Sequence, residues 1–336
     1  MSAHAEEKVL CMGQPNGGPY PIFGRLEQPR PTSVRAPLCL DLATIDSTER
    51  FSHGAGGGGI GLAVEMHVFL KIIPNDKWQV EVVPDLAVEH VCRSICNLVG
   101  LDKAFRITTP EDASVPFDAS TEIIAAAAAG VNASLGKPFT QRELRRIVSH
   151  NLANENSGEL ILAPDNGVRV AGSFFGGLVI VTDELEIACR TPLPEEGLIL
   201  LIYPDAAATT LDRVKMIQMD EKDREKKALE VLMRLMPAAI KSDIGKMGDS
   251  IYRLQLLGSK VAEIRRFGSG QEIYRLMSML RVKGCKIVAM HGDTGIIATY
   301  LDQSIIEDVL ELIQDSKMEK IITRPDNKGM RITITK

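Results

Sequence analysis

The order of strand-like and helix-like segments constrains this chain more than any other feature of its sequence. Alternating or β-branched apolar runs predict strands at 35–46, 60–73, 78–84 and 104–109, and β-like segments at 159–163, 168–172 and 176–181. Apolar spacing and composition predict helices at 85–101, 120–136 and 140–154. The remainder predicts strands at 198–204, 285–290, 294–302, 319–324 and 330–335, and helices at 221–235, 237–257, 270–283 and 303–316. This order is typical of an α+β protein, with a mixed or antiparallel sheet in the second half.

Two helix starts carry capping signals. Thr140 and Glu143 have the spacing of a capping box, in which each residue satisfies a free backbone N–H of the helix start. Ser120 or Thr121 is suited to cap the helix predicted over 120–136. These signals place both helix starts within a few residues.

Length and composition indicate an ordinary globular protein of two domains. The chain has 336 residues, of which 45% are hydrophobic and 25% charged. We expect an extended Pro- and Gly-rich arm over 1–34, a first domain over 35–190 and a second over 191–336, with a linker near 189–197. A net charge of −5 without a basic stretch argues against nucleic-acid binding. Without an apolar signal segment or a run of about 20 apolar residues, we expect a cytoplasmic protein that does not enter membranes.

Four blocks of sequence, taken in order, resemble one family. They are APLCLDLATID with GAGGGGIGLAVE, then ITTPEDASVPFDASTEIIAAAAAGVNASLGKPFTQRELRRI, then NENSGELILAPDNGVRVAGSFFGGLVIVTDE, and finally LEVLMRLMPAAIKSDIGKMGDSIYRLQLLGSK with GCKIVAMHGDTGIIATYLD. Together they cover residues 35–320. The chain resembles the GHMP small-molecule kinase superfamily, and within it the archaeal β-ribofuranosylaminobenzene 5′-phosphate synthases.

This resemblance implies a fold and a set of possible activities. The fold would be a ribosomal-S5-like domain followed by a ferredoxin-like domain, with the ligand cleft between them. The synthases join 5-phosphoribosyl pyrophosphate to a hydroxy- or aminobenzoate in tetrahydromethanopterin biosynthesis, with loss of CO2 and pyrophosphate. Most other members of the superfamily are ATP-dependent kinases of small alcohols. We therefore expect a small phosphorylated substrate, Mg²⁺, and either ATP or phosphoribosyl pyrophosphate, in a homodimer.

The helix start at 120 is the first candidate phosphate site. Backbone N–H groups at a helix N-terminus attract anions, so Ser120 and Thr121 are candidate cofactor-binding residues. The family's glycine-rich phosphate loop is replaced here by VPFDAST, and Asp118 within it and Glu122 directly after it oppose a phosphate. Two carboxylates in one turn could instead bind Mg²⁺, which would restore phosphate affinity. Asp118 is also a candidate catalytic residue, and the alternative is that Asp118 or Ser120 simply caps the helix.

Three further motifs supply the remaining candidates. The candidate catalytic residues are Asp41 and Asp46, around the first strand, and His291. The alternatives are that Asp41 is an exposed residue at the edge of a strand and that His291 is a turn residue. At the strand start the family carries Arg and His where this chain has Cys39 and Asp41. Glycines allow a backbone to approach phosphate closely. The candidate cofactor-binding residues from these motifs are Gly57, Gly58, Gly59, Ser157, Gly158, Gly292, Asp293 and Thr294.

These replacements make the phosphate-binding positions neutral or acidic, so three functions stay open. The first is a divergent synthase-like transferase. The second is a GHMP kinase, which would need the glycine loop that VPFDAST lacks. The third is a non-catalytic or repurposed protein that binds a small metabolite or a partner protein.

Overall fold

The computed structural model describes residues 8–48, 55–110, 119–163, 165–203, 207–210, 212–314 and 318–335. Within them the first half is built on one large sheet. Its strands are β2 (Thr32–Thr44), β3 (Gly59–Asn75), β4 (Gln79–Glu81), β5 (Ala104–Thr108), β8 (Leu178–Val181), β9 (Ile187–Thr191) and β14 (Arg331–Ile334). The main path is β14-β2-β3-β5-β4, and β8 pairs with both β3 and β9. A smaller sheet has the order β1-β7-β6, from Val9–Leu10, Glu159–Leu162 and Ala153–Asn156.

Four helices accompany the large sheet: α1 (Asp85–Leu98), α2 (Ser120–Ser134), α3 (Gln141–Asn151) and α4 (Val168–Phe175). α2 and α4 pack directly on β2 and β3. The run Ala125–Ala129 is buried all round α2 because small side chains let the helix lie close to the sheet. At Gly130 an added Cβ would lie 2.5 Å from Cδ1 of Ile72, so only glycine fits this approach. The predicted capping box forms in part, since Oγ1 of Thr140 accepts the N–H of Glu143 at 3.3 Å.

The second half is built on an antiparallel sheet. Its order is β11-β12-β10-β13, from Ile287–Met290, Ile297–Leu301, Leu198–Tyr203 and Glu319–Thr323. Its helices are α5 (Arg213–Glu230), α6 (Met236–Ile240), α7 (Ile244–Leu254), α8 (Ser259–Arg265), α9 (Gln271–Val282) and α10 (Ile306–Leu312), with π-helical Val231–Leu235 between α5 and α6. The predicted α+β class is confirmed, and of the two arrangements predicted for the second sheet, mixed or antiparallel, the structure has the antiparallel one.

Three predicted segments were wrong. Residues 168–172 are helical: the side chains of Asp165 and Asn166 accept the N–H groups of Gly167 and Val168 in two turns, and the left-handed Gly167 leads into α4. The linker predicted over 189–197 begins too early, because its first three residues belong to the strand Ile187–Thr191. The helix predicted over 237–257 is interrupted at Ser242, whose φ is 53°, and Asp243 caps a new helix.

Both chain ends join the first half. The arm runs along α2 and α3, where Arg30 N donates to Ser134 O and Phe23 N donates to Pro138 O at 2.8 Å. Strand β14 pairs with β2, so residues 331–334 belong to the large sheet although they follow the second one. The domain boundaries at 34 and 190 stay predictions. No helix in the described ranges is long and apolar enough to span a bilayer.

Candidate functional site

A cavity of about 340 Å³ lies where the two sheets meet. It is bounded by the end of β2, the N-termini of α2, α4 and α5, helix α8 and the turn between β11 and β12. Its lining includes Asp41, Ser120, Thr121, Asn154, Asp165, Asn166, Arg169, Arg213, Glu263, His291, Gly292, Asp293 and Thr294. Seven residues predicted from separate motifs are therefore brought together here: Asp41, Ser120, Thr121, His291, Gly292, Asp293 and Thr294.

Asp41 lies at a β-bulge near the end of β2 and is 9% exposed. Its Oδ2 accepts a hydrogen bond from Nδ2 of Asn166 at 2.9 Å. Its Oδ1 is buried and has no hydrogen-bond partner among the described residues. An unpaired buried carboxylate oxygen is unfavourable, so a donor group or a cation on a ligand would be stabilised at this position.

Asn166 fixes the orientation of that carboxylate. Its Nδ2 also donates to Oγ1 of Thr44 at 3.2 Å, and its Oδ1 accepts from Val168 N. The preceding Asp165 accepts Gly167 N through its side chain and Gly56 N through its carbonyl. The start of α4 therefore links the glycine-rich loop to the cavity wall.

Arg169 and Glu122 form an ion pair on the opposite wall. Oε2 of Glu122 accepts Nη2 of Arg169 at 2.6 Å, and Oε1 accepts Nε of Arg169 and the N–H of Cys39, each at 3.1 Å. Glu122 is fully buried, whereas the side chain of Arg169 is 15% exposed toward the cavity. Both carboxylate oxygens of Glu122 are occupied, which weighs against the predicted magnesium role. Burial and the Glu122 carboxylate raise the pKa of the Cys39 thiol well above its ordinary value, so it is no nucleophile.

The turn between β11 and β12 is bonded to two elements, the end of β2 and helix α8. Nδ1 of His291 accepts Asp41 N at 2.9 Å, and Gly292 N donates to Asp41 O at 2.7 Å. The buried Lys260 on α8 donates from Nζ to Gly292 O at 2.7 Å and to Oε2 of Glu263 at 2.9 Å. These bonds hold the turn rigidly against the end of β2.

The N-terminus of α2 also opens on the cavity. Its N-cap is Ala119, which has no side chain able to cap a helix. The first-turn N–H groups of Ser120 and Thr121 have no intrahelical acceptors, and the helix dipole adds partial positive charge there. This end of the cavity favours an anionic group.

The described lining carries more negative than positive side chains. Carboxylates come from Asp41, Asp165, Glu263 and Asp293, and formal cations from Arg169 and Arg213. Among the described residues, no group of three or more His, Cys, Asp or Glu side chains is arranged to hold a metal ion. A phosphate that carries its own divalent cation matches this lining better than a bare anion.

The other predicted residues lie elsewhere. Asp46 and Gly57 line a second cavity of about 390 Å³, where Oδ2 of Asp46 is 3.1 Å from Nε of Arg224. Gly58 and Gly59 are packed against backbone, since an added Cβ would lie 2.3 Å from Val181 O and 2.6 Å from Ala43 O respectively. Ser157 and Gly158 form the turn between β6 and β7, with φ of 51° and 85°. Asp118 lies outside the described residues, and its catalytic and metal roles stay predictions.

Sequence reasoning missed Asp165, Asn166, Arg213 and Glu263 as site residues. The D-N-G sequence at 165–167 is a turn and helix-start signal that could have indicated the first two. Arg213 and Glu263 carry no such signal, because they reach the cavity only through the packing of α5 and α8.

No protein-family model matches the chain. Two curated proteins are similar in sequence. The chain is 23% identical over 325 residues to β-ribofuranosylphenol 5′-phosphate synthase from Archaeoglobus fulgidus, and this match covers 90% of the chain and 99% of the relative. It is 24% identical over 256 residues to the enzyme of the same name from Methanothermobacter thermautotrophicus, covering 68% and 77%.

Solved structures show the fold. Mevalonate diphosphate decarboxylase from Staphylococcus aureus superposes with a TM-score of 0.64 at 15% identity, covering 90% of the chain and 98% of that structure. Homoserine kinase from Cytophaga hutchinsonii gives 0.63 at 14% identity, covering 93% and 99%. The chain is similar to these synthases at low identity, and it shares the fold of the GHMP kinase superfamily.

Proposed function

We propose that this GHMP protein is a transferase that joins 5-phosphoribosyl pyrophosphate to a hydroxy- or aminobenzoate, with release of CO2 and pyrophosphate. The observation that carries the proposal is one cavity that combines a helix N-terminus for phosphate with the unpaired Oδ1 of Asp41. Alignment with the Archaeoglobus fulgidus synthase along 99% of its length supports the same reaction class.

The phosphates of the donor would lie against the N–H groups at Ser120 and Thr121, with Arg169 and Arg213 supplying positive charge. The carboxylate-rich part of the lining fits Mg²⁺ carried by the pyrophosphate rather than a cation held by protein ligands alone. Bound there, Mg²⁺ would neutralise the charge of the leaving pyrophosphate. Gly292, Asp293 and Thr294 would close the cavity on the opposite side.

Asp41 has a role in the transfer itself. As pyrophosphate leaves with the electron pair of its bond to the ribose C1′, positive charge develops on that carbon. A carboxylate oxygen held in place by Asn166 stabilises such charge without reorganising. The aromatic ring carbon that bears the carboxyl group then forms the bond to C1′, and loss of CO2 returns the electron pair to the ring.

An ATP-dependent kinase is the second candidate. The mevalonate diphosphate decarboxylase from Enterococcus faecalis, which shares the fold with a TM-score of 0.63 at 13% identity, binds ATP, and one such structure contains AMPPCP and magnesium. In a kinase, Asp41 would accept the proton of an alcohol substrate. A repurposed binding protein is the third candidate, and the homodimer and the cytoplasmic location also stay predictions.

Phosphorus NMR separates these candidates. The protein is incubated with Mg²⁺ and phosphoribosyl pyrophosphate, with and without 4-hydroxybenzoate or 4-aminobenzoate, and separately with ATP and homoserine or mevalonate. Pyrophosphate release that requires the benzoate supports the transferase, whereas ADP formed with an alcohol supports the kinase. No turnover and no thermal shift with any of these compounds would refute both.

A matched pair of aspartates tests the assignment of the cavity. Asp41→Asn keeps the shape but removes the charge beside C1′, and we expect a loss of at least about 100-fold in kcat. Asp46→Asn changes the second cavity and should leave kcat within about threefold. Equal losses in the two variants would contradict the assignment of the transfer to the Asp41 cavity.

A further inference from the structure

A buried hydrogen-bonded seam joins the two sheets beside the cavity. It lies between the end of β2 and the end of β11, where Gln255 is fully buried and His291 is 1% exposed. Nε2 of Gln255 donates to Leu42 O at 2.8 Å, and its Oε1 accepts Met290 N at 3.0 Å. His291 and Gly292 add the two bonds to the backbone of Asp41 described above.

This seam exists because β2 and β11 are not neighbours in any sheet. The bulge between Asp41 and Ala43 turns backbone groups of β2 away from β3. Those groups are buried and need partners. His291 and Gln255 supply these partners from the second half. The two side chains make the hydrogen bonds that a neighbouring strand would otherwise make.

We infer that His291 is a positioning residue, which with Gln255 sets the placement of Asp41 relative to the turn Gly292–Thr294, rather than a proton-transfer group. The decisive atom is Nδ1, which accepts the Asp41 N–H and therefore carries no proton. The ring is thus neutral, with its proton on Nε2. In this state Nδ1 is unavailable as a base. A proton on Nδ1 would face the N–H of Asp41, and the hydrogen bond between these two atoms would be lost.

Charged groups of both signs, from several elements, line the cavity beside the seam or bond to its turn. They are Asp41 on β2, Asp165 and Arg169 near the start of α4, Arg213 at the start of α5, Lys260 and Glu263 on α8, Arg266 after α8, and Asp293 in the turn itself.

Two amide substitutions separate positioning from catalysis. His291→Asn places an amide oxygen near Nδ1 and can still accept the Asp41 N–H. His291→Gln places its amide near Nε2 and cannot. We expect kcat to fall at least about tenfold more in His291→Gln than in His291→Asn, with KM changed less than kcat. Gln255→Ala, which removes the other half of the seam, should resemble His291→Gln.

His90 provides a matched control. It is also fully buried, and its Nδ1 accepts Gly13 N at 3.0 Å, but it anchors the N-terminal arm far from the cavity lining. His90→Asn and His90→Gln should show the same order of stability as the His291 pair and leave kcat unchanged. A similar change of kcat in the His90 pair would mean that the His291 effect reports stability alone.

The kinetic test depends on the proposed transferase reaction. The closing experiment needs no substrate, so its result does not depend on whether that reaction occurs. Imidazole ¹⁵N NMR of the wild-type protein should show His291 as the neutral ring with an unprotonated, hydrogen-bonded Nδ1. Hydrogen exchange of the Asp41 and Gly292 amides should be at least about tenfold faster in His291→Gln than in His291→Asn. A proton on Nδ1, equal exchange in the two variants, or higher activity in His291→Gln would overturn the inference.

Discussion

Lys227→Met should lower the free energy of unfolding far more than Lys226→Met. Lys227 lies on α5, and its Nζ donates to Oδ1 of Asp220 at 2.6 Å, with both side chains 1% exposed. Asp220 also accepts Ser259 N at 2.6 Å and Ser47 N at 2.8 Å. The pair therefore joins α5 to the start of α8 and to the segment after β2.

The size of the loss follows from the buried carboxylate of Asp220, which keeps no cationic partner in the variant. Methionine keeps the apolar stem of the lysine, so the main loss is the partner of a buried carboxylate, which typically costs about 3–5 kcal/mol. The aspartate can instead take up a proton, and at pH 7 neutralising an ordinary aspartate costs about 4 kcal/mol, which sets an upper limit. Two backbone donors still support the carboxylate, so we expect a loss of about 3 kcal/mol in the free energy of unfolding.

Urea unfolding of Lys227→Met and Lys226→Met measures the difference. Nζ of Lys226 is 2.9 Å from Oδ1 of Asp223, but its side chain is 65% exposed, so its loss should cost under about 1 kcal/mol. If the stranded aspartate is neutral in Lys227→Met, the deficit should shrink by about 1.4 kcal/mol for each pH unit below 7. Equal losses in the two variants would refute the reasoning.

Two further changes test other contacts. The hydrogen bond from His67 and those from the N–H groups of Lys328 and Gly329 outweigh burial and hold the pKa of Asp326 below its ordinary value. A lowered pKa stabilises the fold above the unfolded value of about 3.9 and is lost as pH falls through the folded value, so wild-type should lose more stability than Asp326→Asn in urea melts between pH 5 and pH 3. Gly172→Ala would place a Cβ 2.2 Å from Sγ of Cys39, and thermal unfolding should show a loss of about 1–3 kcal/mol; no change would contradict this packing.

The sequence predicted the element types well wherever one signal dominated. Helices α1, α2 and α3 have long apolar stretches or caps, and the antiparallel second sheet followed from the order of its segments. The failure at 168–172 has a local cause: V-R-V alternates like a strand, but the side chains of Asp165 and Asn166 just before it accept backbone N–H groups two residues on and form turns that lead into the helix. These turns outweighed a two-residue alternation.

The site was predicted less well than the fold because its geometry depends on contacts between distant residues. Asp41 and His291 are 250 positions apart, and nothing in either segment shows that one accepts the backbone N–H of the other. Arg169 is placed by its ion pair with Glu122, which lies 47 positions away, and nothing near either residue in the sequence indicates that pairing. Conversely, Ser157 and Gly158 matched a motif and lie in a hairpin turn outside the lining of the Asp41 cavity.

The end of β2 is held on three sides through its main chain, which explains how this chain could diverge at reactive positions and keep the fold. Ser47 N is bound by Asp220, Leu42 O by Gln255, and Asp41 N by His291. Bonds to backbone groups do not depend on which side chain the strand residue carries. A substitution of the side chain at position 41 should therefore leave the strand in place beside the helix N-terminus of α2. Hydrogen bonds of this kind allow the side chains that line the cavity to change while the backbone geometry persists. Low sequence identity to the synthases therefore does not measure how much the geometry of the site differs.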